Sequence, residues 1–320
     1  MATVPTPQAG CFVAYYPNPV WQKTPCVGSP PATMTVGDGN DEVAKESSGN
    51  LIGTVLGVLS ASGVKSEADS DGAKHCGIAD GANCYSLQIN TNGKFPVTYF
   101  GVSTLGFMQF VYSSAGASGN CGTATCGKLW IEYWLHDYHE DYGSCPSQEP
   151  GAGGGWFTTG NKTNPGKSCI FNLNGVLTPS MQATNLSGML MWASANSYSP
   201  SQDEVGLCIP DEGCYATSNS DAVLDLSQNW LQSEFNIFGF NDASQAVFNS
   251  GTTINVVNIL QNPKGEPFGT IPCTIDGPTA ETNNLNLGSC GPATLSELPF
   301  ASIGTPTYSS VTGISFTESN

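Results

Sequence analysis

The sequence predicts an all-β fold: an antiparallel β-sandwich of the concanavalin-like or jelly-roll-like kind, its loops pinned by disulfides. Three observations predict it. The 320 residues include 38 Gly and 21 Pro but only 11% charged residues, a balance that favours turns and short strands over long amphipathic helices. Apolar and polar residues alternate in runs divided by turn signals, at the spacing of roughly 8–15 residues that a sandwich shows. Twelve cysteines fall in close sequential pairs, the pattern of loops closed by bridges in an oxidising compartment.

Taken in order, residues 1–50 read as an N-terminal arm and edge strand, and 51–320 as one large sandwich, since all-β units often run to roughly 200–250 residues. The opening MATVPTP lacks the charged and apolar run of an export signal and reads as the start of a mature domain. An aromatic, proline-rich segment follows, GCFVAYYPNPVWQKTPC at 10–26, suited to an edge strand. GDGNDEVAKE at 37–46 then offers Asp38, Asn40, Asp41 and Glu42 as oxygen ligands, a calcium candidate. No glutamate closes a calcium loop at the required distance, so an Asx-rich turn is the favoured reading.

LIGTVLGVLSASGV at 51–64 is a Gly-interrupted apolar run. In CYSLQIN, Tyr85, Leu87 and Ile89 alternate with polar residues as in a half-buried strand, and Asn92-Gly93 marks a turn. Leu105 to Tyr138 reads as a β-hairpin. Alternate side chains of a strand share a face, so Phe107, Gln109 and Val111 point one way and Met108, Phe110 and Tyr112 the other. In the second run Trp130, Glu132 and Trp134 oppose Leu129, Ile131, Tyr133 and Leu135. A register with Tyr112 opposite Leu129 sets Phe110 against Ile131, Met108 against Tyr133 and Gln109 against Glu132. One face is then a core surface. The other, with tryptophans around an amide and a carboxylate, reads as a cleft floor.

His136 and His139 follow beside Asp137, Glu140 and Asp141, but spacing of three converges only on a helix, and metal binding is the minor reading. Residues 169–260 read as a string of strands. In WLQSEFNIF the phase of Trp230 and Phe238 also holds Gln232, Glu234 and Asn236, a second carboxylate on an aromatic-bracketed polar face. The tail adds a cysteine-closed loop and a final strand at Ile314 to Thr317, with Glu281 and Glu318 as spare acids. Asn161 and Asn185 head N-glycosylation triplets, relevant in a eukaryotic source.

Neighbour pairing of the cysteines gives Cys11–Cys26, Cys76–Cys84, Cys121–Cys126, Cys145–Cys169, Cys208–Cys214 and Cys273–Cys290. With a net charge of −17 and nine Lys plus Arg, nucleic acid is excluded as a partner. No apolar run reaches the ~18–20 residues of a membrane span. The expectation is a secreted monomer without a cofactor, the calcium candidate aside.

The catalytic menu is short. There is no G-x-S-x-G elbow, no phosphate-cradling glycine loop, and no free thiol if all cysteines are bridged. Carboxylates remain, and two chemistries use them. A glycosidase sets two carboxylates on a concave, ring-lined sheet. A glutamic peptidase has a glutamate deprotonate water while a glutamine amide donates to the oxyanion. Gln109 and Glu132 supply both groups in one hairpin, with Trp130, Trp134, Phe107 and Trp230 as substrate-binding rings.

FMQFVY and LWIEYW resemble the eqolisin-type glutamic peptidases, secreted β-sandwich acid proteases with an I-L-Q-T-G motif and, later, W-Y-E-W-Y-P. Gln109 matches their catalytic glutamine, and Trp130, Glu132 and Trp134 match W-x-E-x-[WY]. SEFNIFGF at 233–240 resembles their A-E-F-I-I-E-D-F strand, with Glu234 on its first glutamate and Phe238 where they carry the base. Leu135-His136 stands for Tyr-Pro and Phe110-Val111 for Thr-Gly. The plant neprosin-type peptidases, with a two-glutamate pair, are a second resemblance that suits Glu132 with Glu234. The resemblance implies an acid-acting endopeptidase on polypeptide substrates, with Glu132 or Glu234 as base and Gln109 as oxyanion donor. A carbohydrate-binding or glycan-active sandwich and a non-catalytic extracellular domain remain the alternatives.

Overall fold

The computed structural model describes residues 11–14, 21–24, 41–46, 49–72, 76, 78, 80–117, 119, 125–147, 150–151, 154–161, 164–197, 200–240, 244–275, 282–297 and 310–320. Its strands begin with β1 (Cys11–Ala14), β2 (Trp21–Thr24), β3 (Val43–Lys45), β4 (Thr54–Ser62), β5 (Glu67–Asp69), β6 (Tyr85–Asn90) and β7 (Phe95–Tyr99). The predicted hairpin follows as β8 (Val102–Ala117) and β9 (Cys126–His136), then β10 (Phe157–Asn161), β11 (Asn164–Asn172), β12 (Val176–Pro179), β13 (Leu190–Asn196), β14 (Gln202–Ile209) and β15 (Gly213–Ser220). The last third adds β16 (Gln232–Gly239), β17 (Gln245–Phe248), β18 (Thr253–Gln261), β19 (Cys273–Thr274), β20 (Thr282–Asn283), β21 (Asn286–Pro292) and β22 (Gly313–Ser319).

Two antiparallel sheets make the sandwich. The larger has ten strands in the order β10-β11-β9-β8-β6-β16-β3-β19, with β12 added to β9 and β7 to β8. The smaller has seven, β15-β14-β13-β4-β18-β22-β21. The stretch before residue 50 contributes β3 to the larger sheet, while β1 and β2, among the described residues, pair with each other. No helix among the described residues is long and apolar enough to cross a membrane.

The core lies where the two sheets face. Met108, Phe110 and Tyr112 of β8 meet Leu129, Ile131 and Tyr133 of β9 on that side, all fully buried. Leu87, Ile89, Phe235 and Ile237 extend the surface, against Val55, Leu59, Val205, Ile254, Val256 and Phe316 of the smaller sheet. Gly57 shows how close the sheets come: a Cβ there would lie 2.5 Å from the ring carbons of Phe235. The Gly-interrupted apolar run is thus an inner strand whose glycine leaves room for a ring.

Cys76–Cys84, Cys145–Cys169, Cys208–Cys214 and Cys273–Cys290 are bridged as neighbour pairing predicts. Cys126 is also bridged, but Cys121 and the Cys11–Cys26 pair's Cys26 lie outside the described residues. The β7–β8 turn is Phe100-Gly101, both in the left-handed region at φ 48° and 82°, as a two-residue hairpin loop demands. Gly57→Ala is expected to lower stability by about 1–3 kcal/mol through overpacking, with activity-independent loss read by urea unfolding.

Candidate functional site

The register of β8 and β9 is the one alternation predicts: Tyr112 faces Leu129, Phe110 faces Ile131, Met108 faces Tyr133 and Gln109 faces Glu132. The row continues on both sides. Gln109 faces Asn90 of β6, Asn90 faces Glu234 of β16, and Glu132 faces Asn172 of β11. Five polar residues from five adjacent strands therefore cross the outer face of the larger sheet in one line. At about 4.8 Å per strand step, the Glu132 and Glu234 backbones stand about 14 Å apart.

Hydrogen bonds knit the row and fix which way each amide points. Ser86 donates its hydroxyl to Gly239 O at 2.7 Å, which leaves Ser86 Oγ to accept from Gln88 Nε2 at 2.9 Å. Gln88 Oε1 must then face Gln109 Nε2, at 2.8 Å. Gln109 Nε2 also donates to Asn90 Oδ1 at 3.2 Å, and Asn90 Nδ2 donates to Glu234 Oε2 at 2.6 Å. On the other side Gln109 Oε1 accepts from the Trp134 indole N–H at 3.1 Å, which also donates to Glu132 Oε1 at 2.7 Å. One indole hydrogen thus joins the predicted amide to the predicted carboxylate.

Burial divides the row. Glu234 is 0% exposed and Gln109 5%, whereas Glu132 and Trp130 are half-buried. The open end is therefore the Glu132 end. There the Lys128 ammonium sits 5.7 Å from the Trp130 ring centroid, and burial lowers its pKa. The buried amide oxygen of Asn172 accepts no hydrogen bond from the described residues, leaving an acceptor alongside Glu132.

The predicted rings part company. Phe107 and Trp134 lie on the row face but are buried, with ring centroids 6.4 Å apart. Trp230, expected on the same face as Glu234, is instead in the core and stacks on Phe110 at 5.8 Å. Its position precedes β16, where Asn92 Oδ1 accepts the N–H groups of Leu231 and Gln232 at 2.8 and 2.9 Å. That clamp interrupts the alternation on which the expectation stood.

The acids read as bystanders are not all surface groups. Glu318 is buried and accepts from Asn236 Nδ2 at 2.7 Å and Asn283 Nδ2 at 3.1 Å. Asp41, of the calcium candidate, also accepts from Asn236 Nδ2; Asp38 and Asn40 lie outside the described residues. Among the described residues Glu42, Cys273 and Cys290 bring potential ligand atoms within 4.8 Å of one another, but those sulfurs are bonded to each other. Gln88, Asn90 and Asn236 were not singled out as site residues. The signal for the first two lay in β6, where Ser86, Gln88 and Asn90 share the phase opposite the core.

His136 belongs to this face too. It is buried, stacks on Phe107 at 6.0 Å and places Nε2 3.1 Å from Gly93 O. Burial, then the nearby Lys94 charge, pull its pKa down to about 3 against the Gly93 bond. The fold thus prefers neutral His136, and the stability it contributes above pH ~6.5 is lost as pH falls toward the folded value. NMR should show its imidazole untitrated from about pH 8 down to about pH 4; a midpoint near 6.5 would overturn the assignment.

No family model matches the chain, and no curated protein does. Among solved structures, SCP-B, a member of the eqolisin family of peptidases in a complex with the tripeptide Ala-Ile-His, overlaps 88% of this chain and 96% of its own at 10% identity, with a TM-score of 0.33. Scytalido-glutamic peptidase with a transition state analog inhibitor overlaps 86% and 96% at 14% identity, with a TM-score of 0.31.

Proposed function

We propose that this chain is a secreted, acid-acting glutamic-type endopeptidase in which Glu132 is the general base and Gln109 the oxyanion donor. The observation that carries the reading is the Gln109–Trp134–Glu132 bridge at the half-open end of the row. Glu132 is the row's half-buried carboxylate, so it is the one a water and a peptide bond can reach. Its carboxylate takes a proton from water as the oxygen adds to the scissile carbonyl carbon. The oxyanion then competes for the Gln109 N–H that lies 3.2 Å from Asn90, the looser of its two bonds. Protonated Glu132 passes its proton to the departing amine as the C–N bond breaks, and the carboxylate is restored. Glu234, two strand steps from Gln109 and fully buried, acts as a positioning group through Asn90. Four bridged cysteine pairs support secretion, and the net charge of −17 suits an acidic medium.

The burial of Gln109 and Glu234 favours a second reading, a non-catalytic extracellular sandwich whose amide ladder is structural. For the glycan reading, Phe107, Trp134 and Trp230 are buried, which leaves half-buried Trp130 as the one of the four rings at the open end. Casein digestion at acidic pH, in the presence of serine, cysteine and metal inhibitors, separates the first two. Glu132→Gln and Gln109→Ala are each expected to lower kcat/KM by about 100-fold or more, and Glu234→Gln by less; Gln109→Ala also costs about 1–3 kcal/mol of stability because Gln88 and Asn90 lose a donor. Parent-like cleavage by Glu132→Gln overturns the site; no cleavage by the parent favours the structural reading.

A further inference from the structure

Directly behind Glu132 and Trp134 lies a second acidic group. Tyr133, between them in β9, points into the core, and its hydroxyl lies 3.4 Å from Asp203 Oδ2 on β14 of the other sheet. Asp203 is fully buried, and Asp221 is buried against it. Asp221 is well served: Oδ1 accepts the Ser227 N–H at 2.8 Å, and Oδ2 accepts the hydroxyls of Ser227 at 2.7 Å and Ser201 at 3.2 Å. Asp203 Oδ1 accepts nothing from the described residues.

The titratable groups that face Asp203 are Tyr133 from β9 and Asp221 and Asp225 from the turns after β15. From β15 the neutral Asn219 reaches the Tyr133 hydroxyl. None of these is a cation. A carboxylate desolvated beside another carboxyl, with no positive partner, is relieved by binding a proton.

We propose that Asp203, fully buried between the sheets with Oδ1 unpartnered among the described residues, is held as the neutral acid, that this proton locks the packing of β14 against β9, and that its loss loosens the strand presenting Glu132 and Trp134. The lock stands on the burial of Asp203, its unpartnered Oδ1 and the absence of a cation among the groups named above; its effect on cleavage rests on the peptidase reading. Burial, then the Asp221 charge, hold the Asp203 carboxyl well above the usual carboxylate range. The folded chain therefore keeps a proton that the unfolded chain releases near pH ~4. The lock's stability is fully present below that pH and is lost as pH climbs through the raised folded value. Glu67 adds a background decline of the same sign, its carboxyl pushed up to about 8 by burial and then by Asp69.

Urea unfolding of the parent and Asp203→Asn from about pH 4 to about pH 9 tests the lock, since Asn keeps the shape and removes the ionisation. At a fixed urea concentration the pH midpoint of unfolding is expected to move up by at least about one unit in Asp203→Asn; coincident midpoints overturn the lock. If Asp203→Asn does not fold, Glu67→Gln carries the test: a loss of stability with rising pH that persists without the Glu67 carboxyl supports the lock, and a flat profile overturns it. A midpoint shift in Asp203→Asn with no casein cleavage by the parent leaves the lock standing and the peptidase reading overturned.

Discussion

One constraint underlies the molecule: parity across the β8–β9 ladder. Side chains alternate with a period of two, so Gln109 can face Glu132 only if Phe110 faces Ile131 on the reverse side. A slip of one residue would turn Glu132 and Gln109 into the core and Tyr133 and Phe110 outward. Burying apolar surface is worth roughly 25 cal/mol per Å², so the fully buried rings and aliphatics of β8 and β9 hold the register. The polar row is carried on the back of a hydrophobic face.

Burying that row raises a second problem, since an unsatisfied polar group in the interior costs about 1–3 kcal/mol. The solution is a chain of neutral donors with one sense of direction, from the Gly239 carbonyl through Ser86 and Gln88 to Gln109. Each link has a single consistent orientation because its neighbour has already used the opposite end. The ionisable members lie where the chain branches and ends, Glu234 on an amide and Glu132 on an indole. In each of these carboxylates at least one oxygen is thus met by a neutral N–H donor held in place by the row itself.

The hairpin was legible because its alternation is long and its pairing local. Strand order was not: Asn90 and Glu234 are 144 residues apart in sequence, and nothing in either segment says that β6 lies beside β16. Trp230 shows another limit, since alternation holds only while the strand lasts and the Asn92 clamp sits at the entry to β16. The chemistry of Glu318 was equally hidden, because an isolated acid near the chain end has no partner until Asn236 and Asn283 are folded against it. Alternation also distinguishes two faces without saying how deeply the outer one is covered. The half-buried state of Glu132 beside the fully buried Glu234 had therefore no counterpart in the sequence.

The charge distribution follows from the same scarcity of cations. Among the described residues the ion pairs are Lys94 with Asp137 at 4.0 Å and Lys167 with Glu140 at 2.8 Å, both at exposed positions, where such pairs contribute about 0–1 kcal/mol. Among the described residues, the partners of interior carboxyls include amides, hydroxyls, backbone N–H groups and other carboxyls. Asp203 and Glu67, each buried near another carboxyl, favour the proton and draw stability toward acid. The one buried histidine described, His136, draws it the other way because the fold excludes its charged form. The two tendencies act from opposite faces of β9, His136 on the outer side and Tyr133 with Asp203 on the inner. The strand that presents Glu132 is thus held best between them, at a pH low enough to keep the carboxyl proton and high enough to leave the imidazole neutral.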